Sequence, residues 1–165
     1  MSRMFVRNGN EIQPHSMPWL VHLNSLSNAL SICTGSIIGK RHILTAAHCN
    51  DKSWLSHVAV GAHNLDDVDK GVGQNIGVEK FDRMFGRDLA VITLKQDLLL
   101  NQDTHLSKAM LAAPSEVDCT LCRGHCSGTL DVSGWGYDPI NDRKLQNVWF
   151  DSFIIFFTFL DIYLL

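Results

Sequence analysis

Hydrolysis of an amide by acyl transfer asks for three kinds of side chain. A serine hydroxyl is too weakly acidic to attack at neutral pH. An imidazole must therefore take its proton, and a carboxylate must hold that imidazole in one tautomer and stabilise its cation. The segment Leu44-Thr45-Ala46-Ala47-His48-Cys49 offers the imidazole, next to a disulfide-capable cysteine, and Asp88-Leu89-Ala90-Val91-Ile92-Thr93-Leu94 offers the carboxylate. A histidine and an aspartate on their own are usually surface or capping residues; the blocks around His48 and Asp88 are what single them out. A second cluster, Cys119-x-x-Cys122-x-x-His125-Cys126, carries four side chains of zinc-ligand type. Zinc modules normally hold two ligand pairs a dozen or more residues apart so that a tetrahedron can close. Eight consecutive residues make a cramped cage, so no metal is assigned there, and a disulfide-bearing loop or unpaired thiols is the plainer reading.

The elements that must position His48 and Asp88 read as short strands. Apolar runs at Trp19-Leu20-Val21-His22-Leu23, Ser36-Ile37-Ile38, His42-Ile43-Leu44, His57-Val58-Ala59-Val60, Asn75-Ile76-Gly77-Val78 and Leu89-Ala90-Val91-Ile92 are bounded by Gly35, Gly39-Lys40, Gly61, Gly71 to Gly73 and Gly86. That punctuation predicts an all-β barrel or sandwich, with no helical stretch before residue 100. Leu106 to Ser115 reads as an extended connection between two halves, and Asp118 to Gly136 is rich in cysteine and glycine. Trp19 and Trp135 are expected to be core aromatics with a polar handle. From Phe150 the chain turns strongly apolar, interrupted only by Asp151 and Asp161. This stretch falls short of the roughly 20 apolar residues a spanning helix needs, and it is an aggregation liability where exposed.

At 165 residues, 45% hydrophobic and 19% charged, with mean hydropathy +0.02, the chain is long enough for one domain with a real core. A net charge of −3 and a pI near 6.2, with no lysine or arginine block, argue against a nucleic-acid footprint or a polybasic membrane patch. Small or peptide-like partners are the better expectation. The five cysteines, Cys33, Cys49, Cys119, Cys122 and Cys126, read either as a secreted disulfide protein lacking one partner or as an intracellular protein with free thiols. Residues 1 to 15 contain no apolar run of signal-peptide type.

From about Val6 to Val148 the chain resembles the N-terminal two-thirds of the chymotrypsin/trypsin family of serine peptidases (peptidase S1), with several landmarks in the family's order. Asn8-Gly9, Pro14, Ser16 and Pro18-Trp19 match the segment after the activation cleavage, and Cys33, Gly35-Ser36-Ile37-Ile38 and Thr45-Ala46-Ala47-His48-Cys49 match the block around the base. Val60-Gly61-Ala62-His63-Asn64-Leu65 matches a Gly-x-His-Asn loop, Asp88-Leu89-Ala90 the acid, and Ser133-Gly134-Trp135-Gly136 with Lys144-Leu145-Gln146-Asn147-Val148 the entry to a second barrel. The resemblance implies a chymotrypsin-like double antiparallel β-barrel. The first barrel would be complete at about 17–106, followed by a connection at about 107–118, an incomplete second barrel at about 119–148 and a non-homologous apolar tail at 149–165. It further implies a Cys33–Cys49 disulfide, His48 as base and Asp88 as its orienting acid, no cofactor and an extracellular location.

Departures from the family pattern set further expectations. No Gly-Asp-Ser-Gly-Gly turn occurs in the chain, and Ser127 and Ser133 lack that context. The nucleophile, oxyanion hole and specificity pocket are accordingly expected to be missing, making the product a truncated peptidase without turnover. The alternative is a non-catalytic homologue acting as a binding or decoy module. Where an Ile-Val N-terminus normally forms on activation, this chain has Val6-Arg7, and arginine is poorly suited to burial there. At the ends of the calcium loop that some relatives carry stand Ala62 and about Val72, which lack the oxygen donors Ca²⁺ needs. No calcium site is expected.

Overall fold

The computed structural model describes residues 10–25, 28–50, 55–68, 73–100, 105–111, 130–135 and 146–150. Among these residues nine strands follow in order: β1 (Asn10–Glu11), β2 (Leu20–Ser25), β3 (Asn28–Gly39), β4 (His42–Thr45), β5 (His57–Val60), β6 (Gln74–Arg83), β7 (Ala90–Leu94), β8 (Leu130–Gly134) and β9 (Gln146–Phe150). Strands β2 to β7 close an antiparallel barrel in the order β2-β3-β4-β7-β6-β5, and β1, β9 and β8 form a separate three-stranded sheet. The all-β class and the closed first barrel expected from the sequence are observed.

Closure follows from alternation. Along β7 buried and part-buried residues alternate strictly, so Ala90, Ile92 and Leu94 point into the barrel. Val21, Leu23, Ile37, Ile43, Val58 and Val60 join Ile92 and Leu94 there, all fully buried. Burying each such aliphatic side chain is worth about 1.5–3 kcal/mol. Strand β2 pairs with β3 on one side and β5 on the other, so the barrel leaves no open edge at that seam.

Two strands run further than their apolar runs. Strand β3 starts at Asn28 rather than near Ser36, and β6 continues through the polar Glu79 to Arg83. In β6 most positions are exposed or half-buried, so hydrophobicity does not mark its length; pairing from Lys80↔Thr93 to Arg83↔Ala90 holds it instead. In keeping with the expectation of no helical stretch before residue 100, the described helical structure there is limited to a 3₁₀ turn at Ala47–Asn50 and one helical turn, α1, at Leu65–Val68. The Asn64 side chain starts α1 by accepting the Asp66 N–H at 2.9 Å. A single turn is too short to leave a periodic signal.

The described segment 105–111, which leads into the connection expected from about 107, lies along the barrel, tied by Ser107 N–H to the Pro18 carbonyl (3.2 Å) and Ala109 N–H to the Ile37 carbonyl (2.7 Å). Leu106, one residue before the first tie, drops into the core. Trp135, at the end of β8, joins the second sheet to the barrel. Its indole N–H donates to the His63 carbonyl at 2.9 Å, and its ring meets His22 edge-on. Strand β9 runs through Trp149 and Phe150, beyond the Val148 at which the family resemblance was expected to stop. The apolar tail from 151 onward lies outside the described residues, as do Cys119, Cys122, His125 and Cys126.

One glycine is required by packing. A Cβ on Gly35 would stand 2.6 Å from Ile43 Cγ2 and 3.1 Å from the Leu44 carbonyl oxygen, in the tightest part of the β3–β4 pair. Gly35→Ala is expected to destabilise the barrel by about 1–3 kcal/mol. A lower urea midpoint with an unchanged slope would register it.

Candidate active site

The register of β4 on β7 determines where His48 and Asp88 emerge. Thr45 pairs with Ala90, so the chain leaving β4 and the chain entering β7 come out side by side at one end of the barrel. His48 lies just past β4, inside the 3₁₀ turn, which Cys49 N–H closes onto the Ala46 carbonyl at 3.2 Å. Asp88 lies just before β7, on the returning arm of the β6–β7 hairpin. Met84 N–H donates to the Leu89 carbonyl across that hairpin at 2.8 Å, and Gly86, at φ 73°, makes its left-handed bend.

Two anchors hold the turn that carries His48. Cys49 is joined by a disulfide to Cys33 on β3, with 6.0 Å between the Cα atoms. A bridge across 16 residues is worth about 3 kcal/mol on the chain-entropy account. Thr45, fully buried, donates its hydroxyl to the Thr34 carbonyl at 3.1 Å. Both anchors tie the end of β4 to the middle of β3.

Asp88 grips His48 twice. One carboxylate oxygen accepts the His48 backbone N–H at 2.9 Å, and the other lies 2.7 Å from Nδ1. An ionised carboxylate can only accept, so the imidazole donates from Nδ1 and keeps Nε2 as its basic nitrogen. The two side chains are about one-third exposed, 33% and 38%, which leaves the imidazole open to solvent. Partial burial pushes the Asp88 pKa up, but the side-chain and backbone hydrogen bonds from His48, the charge of that ring and the Ala47 backbone bond outweigh it. The net direction is below the ordinary value of 3.8.

Among the described residues, the one trio of potential metal donors within 4.8 Å of one another is Cys33, His48 and Cys49. The disulfide consumes both sulfurs, so this trio is not a cation site. Ala62 presents no side-chain oxygen, while Val72 and Ser127 fall outside the described residues. Ser133 sits on β8 with its hydroxyl buried and without a hydrogen bond, to His48 or to any other group. Of the remaining histidines, His57 meets the Ser56 hydroxyl at 3.0 Å and His63 meets Glu11 at 3.0 Å. Sequence reasoning gave neither contact: Ser56 and His57 are chain neighbours whose contact depends on side-chain conformation, and His63 and Glu11 meet only in the fold. A cavity of about 890 Å³ lined by His15, Ile38, Leu100 and His105 includes neither His48 nor Asp88. It opens where β3 ends and the chain leaves β7, the barrel end opposite Thr45↔Ala90.

The depressed pKa of Asp88 has a consequence for acid stability. A carboxylate whose folded pKa lies below its unfolded value contributes stability above about pH 3.8 that is lost as pH falls through the folded value. Asp88→Asn is expected to remove that contribution and flatten the acid limb. Urea midpoints measured between pH 5 and pH 2 would show a shallower fall in the variant than in the parent.

The family profile described as Trypsin matches residues 6–150. The chain is 36% identical over 136 residues to a chymotrypsin of Phaedon cochleariae, covering 78% of this chain and 47% of that protein. It is 30% identical over 149 residues to a chymase of Canis lupus familiaris, covering 84% of this chain and 58% of that one. The chain thus spans about half the length of the curated relatives it matches. Neuropsin, a serine protease expressed in the limbic system of mouse brain, shares the fold with a TM-score of 0.64 at 23% identity, over 87% of this chain and 63% of that one. A match along nearly the whole described length, around a histidine and an aspartate already seen in contact, makes this chain a member of the trypsin family.

Proposed function

We propose that this chain carries the base and the orienting acid of a serine-type endopeptidase acting on protein or peptide substrates. The observation that carries the reading is the double grip of Asp88 on His48, 2.9 Å to the backbone and 2.7 Å to Nδ1. In that role His48 Nε2 takes the proton of an attacking serine hydroxyl as the tetrahedral intermediate forms, then returns it to the leaving amine. Asp88 keeps the ring in the required tautomer and stabilises the imidazolium. The chemistry calls for no cofactor, and the Cys33–Cys49 bridge supports action in an oxidising, extracellular setting. No described helix is long and apolar enough to cross a membrane.

The same reading places the first barrel at about 17–106, the connection at about 107–118 and the opening strands of the second barrel at about 119–148. Family members carry the nucleophile in a Gly-Asp-Ser-Gly-Gly turn, which is not among these 165 residues. The oxyanion donors and the specificity pocket lie in the same later region of the family fold. Losing a single oxyanion donor costs about 10²–10³ in rate, so a chain without either feature has little catalysis left.

Fluorogenic arginine, phenylalanine and alanine peptide substrates test this directly. The 165-residue chain is expected to show no turnover above a His48→Ala control. Turnover abolished by His48→Ala would place a working nucleophile inside these residues and overturn the half-site reading.

A further inference from the structure

His15 and His105 lie far apart in the chain, yet their rings stack with centroids 4.3 Å apart and planes 18° from parallel. Each has a left-handed backbone, φ 62° at His15 and 53° at His105. A residue with a Cβ takes that conformation only where its surroundings impose it. His15 sits in the turn in which Ser16 N–H and the Ser16 hydroxyl both reach the Gln13 carbonyl, at 3.2 and 2.7 Å. His105 opens the connection that Ser107 and Ala109 tie to the barrel. A third imidazole, His63, borders the same small cavity as both rings. Its Nε2 is 3.0 Å from Glu11, and its carbonyl receives the Trp135 indole.

We propose that the His15–His105 stack, with His63 behind it, is a pH-sensitive clasp that holds the connection against the first barrel, closed when the rings are neutral and opened when both are protonated. Neutral imidazoles stack as ordinary aromatic rings, whereas two cations at this separation repel. Among the described residues, the charged and titratable groups around the pair come from four places. Glu11 on β1 is engaged by His63, His63 lies between β5 and α1, Lys40 follows β3, and Lys108 lies on the connection itself. The two lysines border the cavity that His15 and His105 share, so they add positive charge and deepen the repulsion on protonation.

Burial of His15, with the fields of His105 and His63, holds its pKa below the ordinary 6.5. A base whose folded pKa is depressed contributes stability above its unfolded value. The clasp therefore contributes fully above about pH 6.5 and loses that contribution as pH falls through the lower folded value. A metal ion is not the natural occupant, because one ion cannot lie in the planes of two face-to-face rings.

Amide hydrogen exchange at Ser107 and Ala109, compared at pH 7.5 and pH 5.0 after correction for intrinsic rates, tests the clasp on the full chain. Protection is expected to fall by about tenfold or more in the parent chain at the lower pH. It is expected to change by less than about threefold in His105→Asn, since asparagine tolerates a left-handed backbone and does not titrate. Equal protection of the parent chain at both pH values, or an equal loss in the variant, would overturn the proposal. Should the variant fail to fold, the ring-proton titrations of the parent chain decide. A His15 midpoint below the ordinary 6.5 is expected, and one at or above it contradicts the proposal.

Discussion

The pairing of Thr45 with Ala90 between β4 and β7 is the constraint on which the candidate site depends. A one-residue slip in that register would turn Ile43, Ile92 and Leu94 out of the core, and all three are fully buried. Core packing therefore fixes the register, and the register fixes which residues leave the barrel side by side. His48 and Asp88 need no long-range search to meet: each lies within a few residues of a strand end that hydrophobic burial has already placed. This is how an exposed polar contact can be held to hydrogen-bonding distance without being buried itself.

The remaining interactions narrow the freedom left beyond the strand ends. The Cys33–Cys49 bridge and the Thr45 hydroxyl limit the 3₁₀ turn, while the cross-hairpin bond from Met84 to Leu89 limits the arm carrying Asp88. Asp88 then closes the gap between the two. Its bond to the His48 backbone is as informative as its bond to the ring, because it positions the main chain from which the imidazole swings. A carboxylate that held the ring alone would leave the turn free to shift, and with it the direction of Nε2. The second sheet depends on this lobe in turn, seated through Trp135 on the His63 carbonyl.

Much of this was legible in the sequence, for identifiable reasons. The six barrel strands each contain an apolar run, most of them flanked by glycine, and His48, Asp88 and the Cys33–Cys49 bridge lie in blocks whose residue order matches a known family. What escaped was polar or non-local. The outer part of β6 is held by its hydrogen-bond ladder and has no hydrophobic signature, while the start of β3, with its own apolar Ala29-Leu30 and Ile32-Cys33, is set apart from the run at Ser36-Ile37-Ile38 by Thr34-Gly35. The two-residue β1 pairs with β9 from the far side of the chain, through Asn10↔Asn147 and Glu11↔Gln146, and no local pattern encodes that partnership. The His15–His105 stack is of the same kind: two unremarkable histidines acquire a relation only once the connection folds back on the barrel.

The central claim is that Asp88 sets the tautomer of His48. Nitrogen-15 NMR of the histidine-labelled chain at neutral pH tests it most directly. The account predicts that the His48 proton resides on Nδ1, strongly deshielded by the carboxylate, and that this signal disappears in Asp88→Asn. A His48 ring protonated on Nε2, or an Nδ1 proton indifferent to the loss of the Asp88 carboxylate, would contradict it.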